Sequence, residues 1–197
     1  MIASALAAQP NLTFLGAGVT CANNAGASAT ECTIPGGGGT TGYRNLPVTG
    51  VKLNDSAPAT LDRSGEMDVL AFDAMTKECV RWPFMLPGEY TGSPVLVVKY
   101  AMQSATSGGV SIDVDVWASK TGESITTASF GTVNNCDDTA VPGTAGLPDS
   151  ISCTLTNNDS MAAGDLITIR LCRAVADSAD TATGDMKVFG VSFQYAK

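Results

Sequence analysis

The chain has no histidine and few charged or aromatic residues, and these shortages restrict its possible functions. Charged residues make up 15% of the 197 residues and aromatic residues 6%. Serine and cysteine nucleophiles usually depend on a histidine base, so most nucleophilic hydrolases are excluded. The sequence also has no GxSxG elbow, SxxK pair or phosphate-binding loop before a helix. Any catalysis would therefore depend on carboxylates.

Basic residues and long apolar runs are scarce as well. Eleven Lys and Arg stand against nineteen Asp and Glu, which gives a net charge of −8 and an isoelectric point near 4.3. An acidic chain without a basic cluster does not favour nucleic acid or an anionic membrane as a partner. No apolar run approaches the roughly 20 residues that span a bilayer, and the opening MIASALAAQP lacks the basic residues of a signal peptide. The sequence predicts no nucleic-acid partner and no membrane partner.

Six cysteines are present, a number compatible with up to three disulfides. They are Cys21, Cys32, Cys79, Cys136, Cys153 and Cys172. Local spacing predicts Cys21–Cys32 first and Cys136–Cys153 second. The alternative, six free thiols in a protein folded in a reducing cytosol, stays open at this point. Without histidine or a CxxC pair, the cysteines do not indicate a zinc site.

The chain divides into an arm and a domain. Residues 17–42 have almost no large apolar side chain and include four consecutive glycines, so they cannot contribute much to a core. We therefore predict an N-terminal arm or loop over residues 1–42 and one β-domain over residues 43–197.

Residues 43–197 contain many short alternating apolar runs, separated by turn residues such as PGEYTGSP and PGTAGLP. Nine strands are predicted, at 43–53, 67–74, 79–86, 95–102, 110–118, 124–133, 150–156, 166–174 and 186–195. This pattern predicts an all-β, antiparallel two-sheet sandwich of the jelly-roll type. An immunoglobulin-type sandwich and a β-solenoid are the alternatives, and the absence of a fixed repeat weakens the second.

The period of two predicts which side chains face the core. In the last strand Phe189, Val191, Phe193 and Tyr195 are predicted to form the apolar face, with Val188, Gly190, Ser192 and Gln194 opposite. In the strand 166–174 the predicted inward residues are Ile167, Ile169 and Leu171. In the strand 110–118 they are Val110, Ile112, Val114 and Val116, so Ser111, Asp113, Asp115 and Trp117 share the outward face.

Asp113 and Asp115 are the candidate acid and base of a hydrolase. Successive residues on one face of a strand lie about 7 Å apart, within the range of carboxylate separations in glycosidases. Alternating Asp and Val is also typical of an ordinary solvated strand face, which protects a sheet from edge association. We interpret these residues as a solvated face and predict no catalytic residue.

The segment 175–185 is a candidate calcium loop. It contains Asp177, Asp180 and Asp185 with Ser and Thr oxygens, the ligand type that calcium prefers, but it lacks the EF-hand register. Asp, Ser, Thr and Gly also satisfy turn backbone without an ion. We interpret the loop as the solvated tip of a hairpin and predict no metal and no cofactor.

The two tryptophans receive different interpretations. Trp82 stands beside Pro83 and Phe84 in an apolar run, which predicts a core position. Trp117 shares a face with the two aspartates and is the better candidate for a ligand or subunit contact.

Two long segments resemble small jelly-roll structural proteins of tailed bacteriophage virions. They are WPFMLPGEYTGSPVLVVKYAMQSATSGGVSIDVDVWASKTGES and AAGDLITIRLCRAVADSADTATGDMKVFGVSFQYA. The resemblance covers residues 43–197, and such proteins include head decoration or cement proteins, head fibres and tail attachments. It implies a non-enzymatic virion protein on the capsid exterior, assembled in the bacterial host cytoplasm. The implied partners are a major capsid protein or other virion protein and further copies of the chain in a homotrimer.

Three functions therefore compete. The leading expectation is a capsid decoration or cement protein that stabilises a tailed-phage head. The alternative is a carbohydrate-binding β-sandwich domain of a tail fibre or a secreted protein. The third is a glycan hydrolase that depends on Asp113 and Asp115.

Overall fold

Thirteen β-strands and one 3₁₀ turn form the regular structure of the part of the chain that is described. A computed structural model describes residues 20–24, 29–33, 40–127 and 129–197. The strands are β1 (Thr20–Asn24), β2 (Ala29–Thr33), β3 (Thr41–Leu46), β4 (Lys52–Leu53), β5 (Thr60–Ser64), β6 (Met67–Phe72), β7 (Cys79–Met85), β8 (Gly92–Met102), β9 (Val110–Ser119), β10 (Asn134–Asp138), β11 (Asp149–Thr154), β12 (Leu166–Arg173) and β13 (Met186–Ala196). No helix in these ranges is long and apolar enough to cross a membrane.

The chain forms two units, of which the first contains a small hairpin. Within residues 1–39, β1 and β2 pair antiparallel, and the register places Cys21 opposite Cys32. The side chains of this predicted cysteine pair lie outside the described residues. Most of the predicted arm also lies outside the described residues. The boundary at residue 42 stays a prediction.

The second unit, residues 40–197, is a sandwich of two antiparallel sheets. One sheet has five strands in the order β10-β9-β12-β7-β4. The other has six, in the order β11-β8-β13-β6-β5 with β3 also paired to β13. The predicted all-β two-sheet sandwich is confirmed.

The strand order is that of a jelly roll. From β6 onward, the six-stranded sheet takes β6, β8, β11 and β13, and the five-stranded sheet takes β7, β9, β10 and β12. The last two strands each lie between two earlier strands of their own sheet. In the six-stranded sheet β13 lies between β6 and β8, and in the five-stranded sheet β12 lies between β7 and β9. Two interlocked Greek keys of this kind define the jelly-roll class.

The core lies between the sheets and follows the predicted alternation in β9 and β12. All seven predicted inward side chains of these strands are fully buried: Val110, Ile112, Val114, Val116, Ile167, Ile169 and Leu171. Trp82 is also in the core, as predicted, and its indole Nε1 donates to the Pro47 carbonyl oxygen at 2.9 Å.

The predicted facing of the last strand is wrong at its start because β13 contains a bulge. Its register with β8 shifts between Val188 and Gly190, which leaves Phe189 as the extra residue. A bulge of one residue reverses which side chains face the core. Val188 is therefore buried and Phe189 is only half-buried, while the predicted inward facing of Val191 and of the aromatic residues after it is confirmed.

Two predicted strands do not form as expected. The segment 43–53 divides into β3 and β4, which join different sheets, because the chain turns at Val48–Gly50. The segment 124–133 has no strand in its described residues and forms a loop between β9 and β10. Strands β5 and β10 were not predicted, since their sequences TLDRS and NNCDD have little apolar alternation.

Two disulfides connect four of the cysteines. Cys136–Cys153 joins β10 to β11 and so links the two sheets, which confirms the second predicted pair. Cys79–Cys172 joins directly opposed positions of β7 and β12, 93 residues apart in sequence. The free-thiol alternative is wrong for these four residues.

Candidate functional site

Three cross-strand rows of side chains lie on the face of the five-stranded sheet that points away from the core. The first row is Trp117, Thr168 and Pro83; the second is Asp115, Arg170, Arg81 and Lys52; the third is Asn135, Asp113, Cys172 and Cys79. Directly opposed residues have Cβ atoms about 5 Å apart on the same face, so the members of each row are neighbours.

A cavity of about 310 Å³ opens on this face, bounded in part by the β9–β10 loop. It is lined by Lys52, Arg81, Pro83, Trp117, Ile125, Ser129, Phe130 and Thr168. The amide of Gly131 donates to the Val116 carbonyl oxygen at 3.2 Å, which fixes the end of the loop against β9. The volume is at the lower end of the usual range for small-molecule sites, roughly 300–1,000 Å³.

Two aromatic side chains give the cavity its apolar part. Trp117 is half-buried, so part of its indole remains available to a ligand. The ring of Phe130 has the Arg170 guanidinium carbon 4.3 Å from its centroid, a cation–π arrangement that orients both groups. The prediction that Trp117, rather than Trp82, contacts a ligand stays a prediction, and its position in the cavity wall supports it.

Asp113 and Asp115 are not the solvated face that the sequence indicated. They are only 8% and 5% exposed. Asp113 contacts the Lys77 ammonium and accepts a bond from Asn135 Nδ2 at 2.9 Å. Buried charges have to be paired, and the partners lie on neighbouring segments that the pattern of β9 alone does not reveal.

Asp115 has its charge partner on the neighbouring strand. Its Oδ2 accepts from Arg170 Nε at 2.8 Å and lies 2.8 Å from Arg170 Nη2. The arrangement is an ion pair between directly opposed strand positions. Neither Asp113 nor Asp115 lines the cavity.

The loop 175–185 is organised around an arginine. Arg173 is fully buried, and its Nε and Nη2 donate to the two carboxylate oxygens of Asp180 at 3.0 and 2.8 Å. Its Nη1 and Nη2 also donate to the carbonyl oxygens of Gly184 and Ala182, both at 2.7 Å. The prediction of a fully solvated tip is wrong for Asp180, whose side chain is 2% exposed.

The other two loop aspartates do not share the Asp180 site. Asp177 accepts from the Ala179 amide at 2.8 Å, as expected of a turn residue. Asp185 uses its backbone oxygen to accept from the Gln103 amide at 2.9 Å. No group of three or more His, Cys, Asp or Glu suited to a metal occurs among the described residues. That the loop folds without calcium stays a prediction, supported by the guanidinium in its centre.

Sequence reasoning missed most of the cavity. Lys52, Arg81 and Phe130 were not singled out because they come from three separated segments. Arg81 alternates with the buried Val80 and Trp82, so the period of two could have placed it outward with Trp117. Only the pairing of β4 with β7 brings Lys52 beside it.

No family model matches the chain, and no curated protein matches it. Among solved structures, it is similar to the CBM35 of Abf62 from Cellvibrio japonicus, at 9% identity and a TM-score of 0.46, over 79% of this chain and 97% of that one. It is similar to the xylan-binding module CBM15 at 12% identity and a TM-score of 0.42, over 80% and 98%. A chain of infectious bursal disease virus, Gt strain, gives 11% identity and a TM-score of 0.29, over 85% and 42%. TM-scores this low carry no argument about function.

Proposed function

We propose that the sandwich is a non-enzymatic carbohydrate-binding domain whose binding site is the cavity between the five-stranded sheet and the β9–β10 loop. The observation that carries this proposal is the composition of the wall. It combines the aromatic rings of Trp117 and Phe130 with the hydroxyl groups of Ser129 and Thr168. Cavities with a mainly apolar lining and a few placed polar groups are the usual form of small-ligand sites.

This wall suits the two surfaces of a sugar. A pyranose ring has a face of C–H groups, which packs on an aromatic side chain, and a rim of hydroxyl groups, which needs hydrogen-bond partners. Trp117 and Thr168 are directly opposed on β9 and β12, so an aromatic surface and a hydroxyl group lie side by side. A ring stacked on the indole would have a polar partner within reach.

The two candidate catalytic carboxylates favour binding without hydrolysis. Asp115 is paired with Arg170, and Asp113 with Lys77. Neither carboxylate lines the cavity, so a glycan bound there would not lie between a candidate acid and a candidate base. We expect no turnover of a bound glycan; hydrolysis that disappears in Asp113→Asn or Asp115→Asn would contradict this part of the proposal.

A glycan array with a matched pair of variants tests the proposal. Trp117→Ala is expected to lose binding, because it removes the stacking surface. Tyr43→Ala is the control, since Tyr43 is an aromatic residue that is 65% exposed and is not part of the cavity wall. Binding that Trp117→Ala leaves unchanged, or an array with no binding by the native protein, would contradict the proposal.

The capsid decoration role stays a prediction from the sequence resemblance. No feature of the described residues favours it over carbohydrate binding. A capsid partner, a homotrimer and a position on the virion exterior likewise remain untested predictions. They are compatible with a sugar-binding domain, since a virion protein can also carry a glycan site.

A further inference from the structure

Three positive side chains cross the five-stranded sheet beside one another at the cavity. Arg170 on β12 is directly opposed to Arg81 on β7, and Arg81 is directly opposed to Lys52 on β4. We call these three residues the cation row. Like charges at directly opposed positions destabilise a sheet, and this chain has only 11 basic residues against 19 acidic ones. Such a row needs a compensating negative charge.

The protein supplies that charge unevenly along the row. Arg170 is paired with the buried Asp115 at 2.8 Å. Among the described residues, Arg81 forms one ion pair, from Nη2 to Asp55 Oδ2 at 3.2 Å, and the Asp55 side chain is 92% exposed. Lys52 has no ion pair with any residue in the described ranges. The unbalanced end of the row is therefore the end formed by Arg81 and Lys52.

Arg81 also has unused hydrogen-bonding capacity. Its Nε is buried and has no hydrogen-bond partner among the described residues. A guanidinium has five N–H donors in a planar fork, which matches the two oxygens of a carboxylate. A buried donor without a partner costs free energy, so the protein alone does not satisfy the Arg81 guanidinium.

The unbalanced cations lie in the cavity itself, beside its aromatic part. Lys52 and Arg81 are both lining residues, as is Trp117. The row that contains Trp117 is the next row along the same face, and such rows are about 7 Å apart. Trp117 on β9 is also two strands away from Arg81 on β7, which is about 10 Å across the sheet. A ligand that fills the cavity would therefore meet an aromatic surface at one end and a positive charge at the other, over a distance longer than one sugar ring.

We propose, on the basis of the carbohydrate binding proposed above, that the site selects acidic saccharides. An acidic oligosaccharide would stack one sugar ring on Trp117 and place the carboxylate of a neighbouring uronic acid residue between Lys52 and Arg81. The carboxylate of the ligand would balance the positive charge of the cation row. It would replace Asp55 as the partner of Arg81. The inference concerns the class of ligand, and the proposed function would stand if it were wrong.

A pair of ligands that differ only in charge tests the inference. The probes are galacturonate and glucuronate oligosaccharides and their methyl esters, which keep the sugar ring but remove the negative charge. Native protein is expected to bind at least one acid form about tenfold more tightly than its ester, the size typical of one charged contact. The preference should weaken as salt is added.

Four single variants, one of them a control, and one double variant sharpen the test. Lys52→Ala and Arg81→Ala are each expected to reduce the acid-over-ester preference about threefold, and the double variant is expected to remove it. Lys99→Ala is the control, because Lys99 is an exposed lysine on β8 of the other sheet. Asp55→Asn should act in the opposite direction and tighten binding of the acid form only, because it removes the competing carboxylate.

The outcomes separate the inference from the proposed function. Equal binding of acid and ester, or binding of neutral glycans alone, overturns the inference and leaves carbohydrate binding intact. Binding of sulfated but not carboxylated glycans overturns the assignment to a carboxylate. Failure to bind any glycan overturns both proposals. Weaker binding of the acid form in Asp55→Asn would also contradict the role given to Arg81.

Discussion

Arg173, at the end of β12, is a buried cation whose main partner, Asp180, lies seven residues later in the following loop. Asp180→Asn leaves the guanidinium without its counter-charge, and removing one partner of a buried pair typically costs 3–5 kcal/mol. We expect the free energy of unfolding to fall by about 3 kcal/mol in urea denaturation. Asp177→Asn is the control, because its amide oxygen can still accept the Ala179 amide, and it should change stability little. Equal effects of the two substitutions would show that the loop does not depend on Arg173.

Glu78 gives a pH dependence with a defined sign. Partial burial and the nearby carboxylates of Asp73 and Asp185 raise its pKa above the ordinary 4.5, although the Asp73 amide, which donates to it, opposes the rise. The folded state therefore keeps the proton to higher pH than the unfolded state. Stability from this group is fully present below pH 4.5 and is lost as the pH rises through the folded pKa.

Glu78→Gln tests this, because glutamine can still accept the Asp73 amide but does not titrate. The variant should be more stable than native protein at pH 7. The free energies of unfolding of the variant and the native protein should differ least below the pKa that Glu78 has in the unfolded state. Chemical denaturation at several pH values would measure the difference. A native advantage that grows with rising pH would contradict the raised pKa.

At the scale of strands, the two disulfides constrain chain segments of very different length. Cys136–Cys153 closes 17 residues and Cys79–Cys172 closes 93. The chain-entropy estimate is about 3.1 kcal/mol for the shorter segment and about 4.6 kcal/mol for the longer. Replacing the long-range pair with alanines should therefore lower the unfolding free energy by about 1.5 kcal/mol more than replacing the short-range pair. Denaturation curves of both double variants would measure this, and the reverse order would show that strain or residual structure dominates.

Strand prediction from sequence succeeded where a strand has one apolar face and failed where pairing alone defines it. In β9 and β12, alternating Val, Ile and Leu predicted both the strand and its buried face. β10 carries the sequence NNCDD and is a strand because it pairs along β9. The bulge at Phe189 has no local signal, since Val188 and Phe189 are both suited to a core.

The candidate site was predictable from the sequence only in part, because part of it depends on which strands pair. Trp117 was recognised because its own strand shows which way it faces. The positive charge next to it depends on β4, a strand of two residues, and on its register with β7. Contacts between segments so far apart in sequence are set by tertiary pairing and leave no pattern within either segment.

At the scale of the whole molecule, the fragment that folds should begin at Thr40. The amide of Lys197 donates to the Thr40 carbonyl oxygen at 2.9 Å, and Thr41 and Gly42 pair with the end of β13. A 40–197 fragment is expected to unfold cooperatively. A 43–197 fragment should also fold but have a lower melting temperature, because it loses these pairings. Circular dichroism would compare the two, and an unfolded 40–197 fragment would contradict the division.

The predicted homotrimer is also tested at this scale. Mass photometry of the purified protein should give a mass three times that of the chain, which is 20.1 kDa. A closed trimer would repeat the glycan site three times around one axis and so increase apparent affinity for a multivalent surface. A monomer at micromolar concentration would contradict the trimer and leave the single-site proposals unaffected.

The position of β13 determines when the sandwich can be completed during synthesis. This strand follows every other strand of the sandwich in the chain, yet it lies inside the six-stranded sheet, paired with β8 on one side and with β3 and β6 on the other. Until β13 emerges from the ribosome, those three strands present open edges that can pair with other nascent chains. The jelly roll therefore cannot close strand by strand as it is translated. The six-stranded sheet is complete only after β13 has been synthesised, and neighbouring nascent chains are most prone to aggregate before that point.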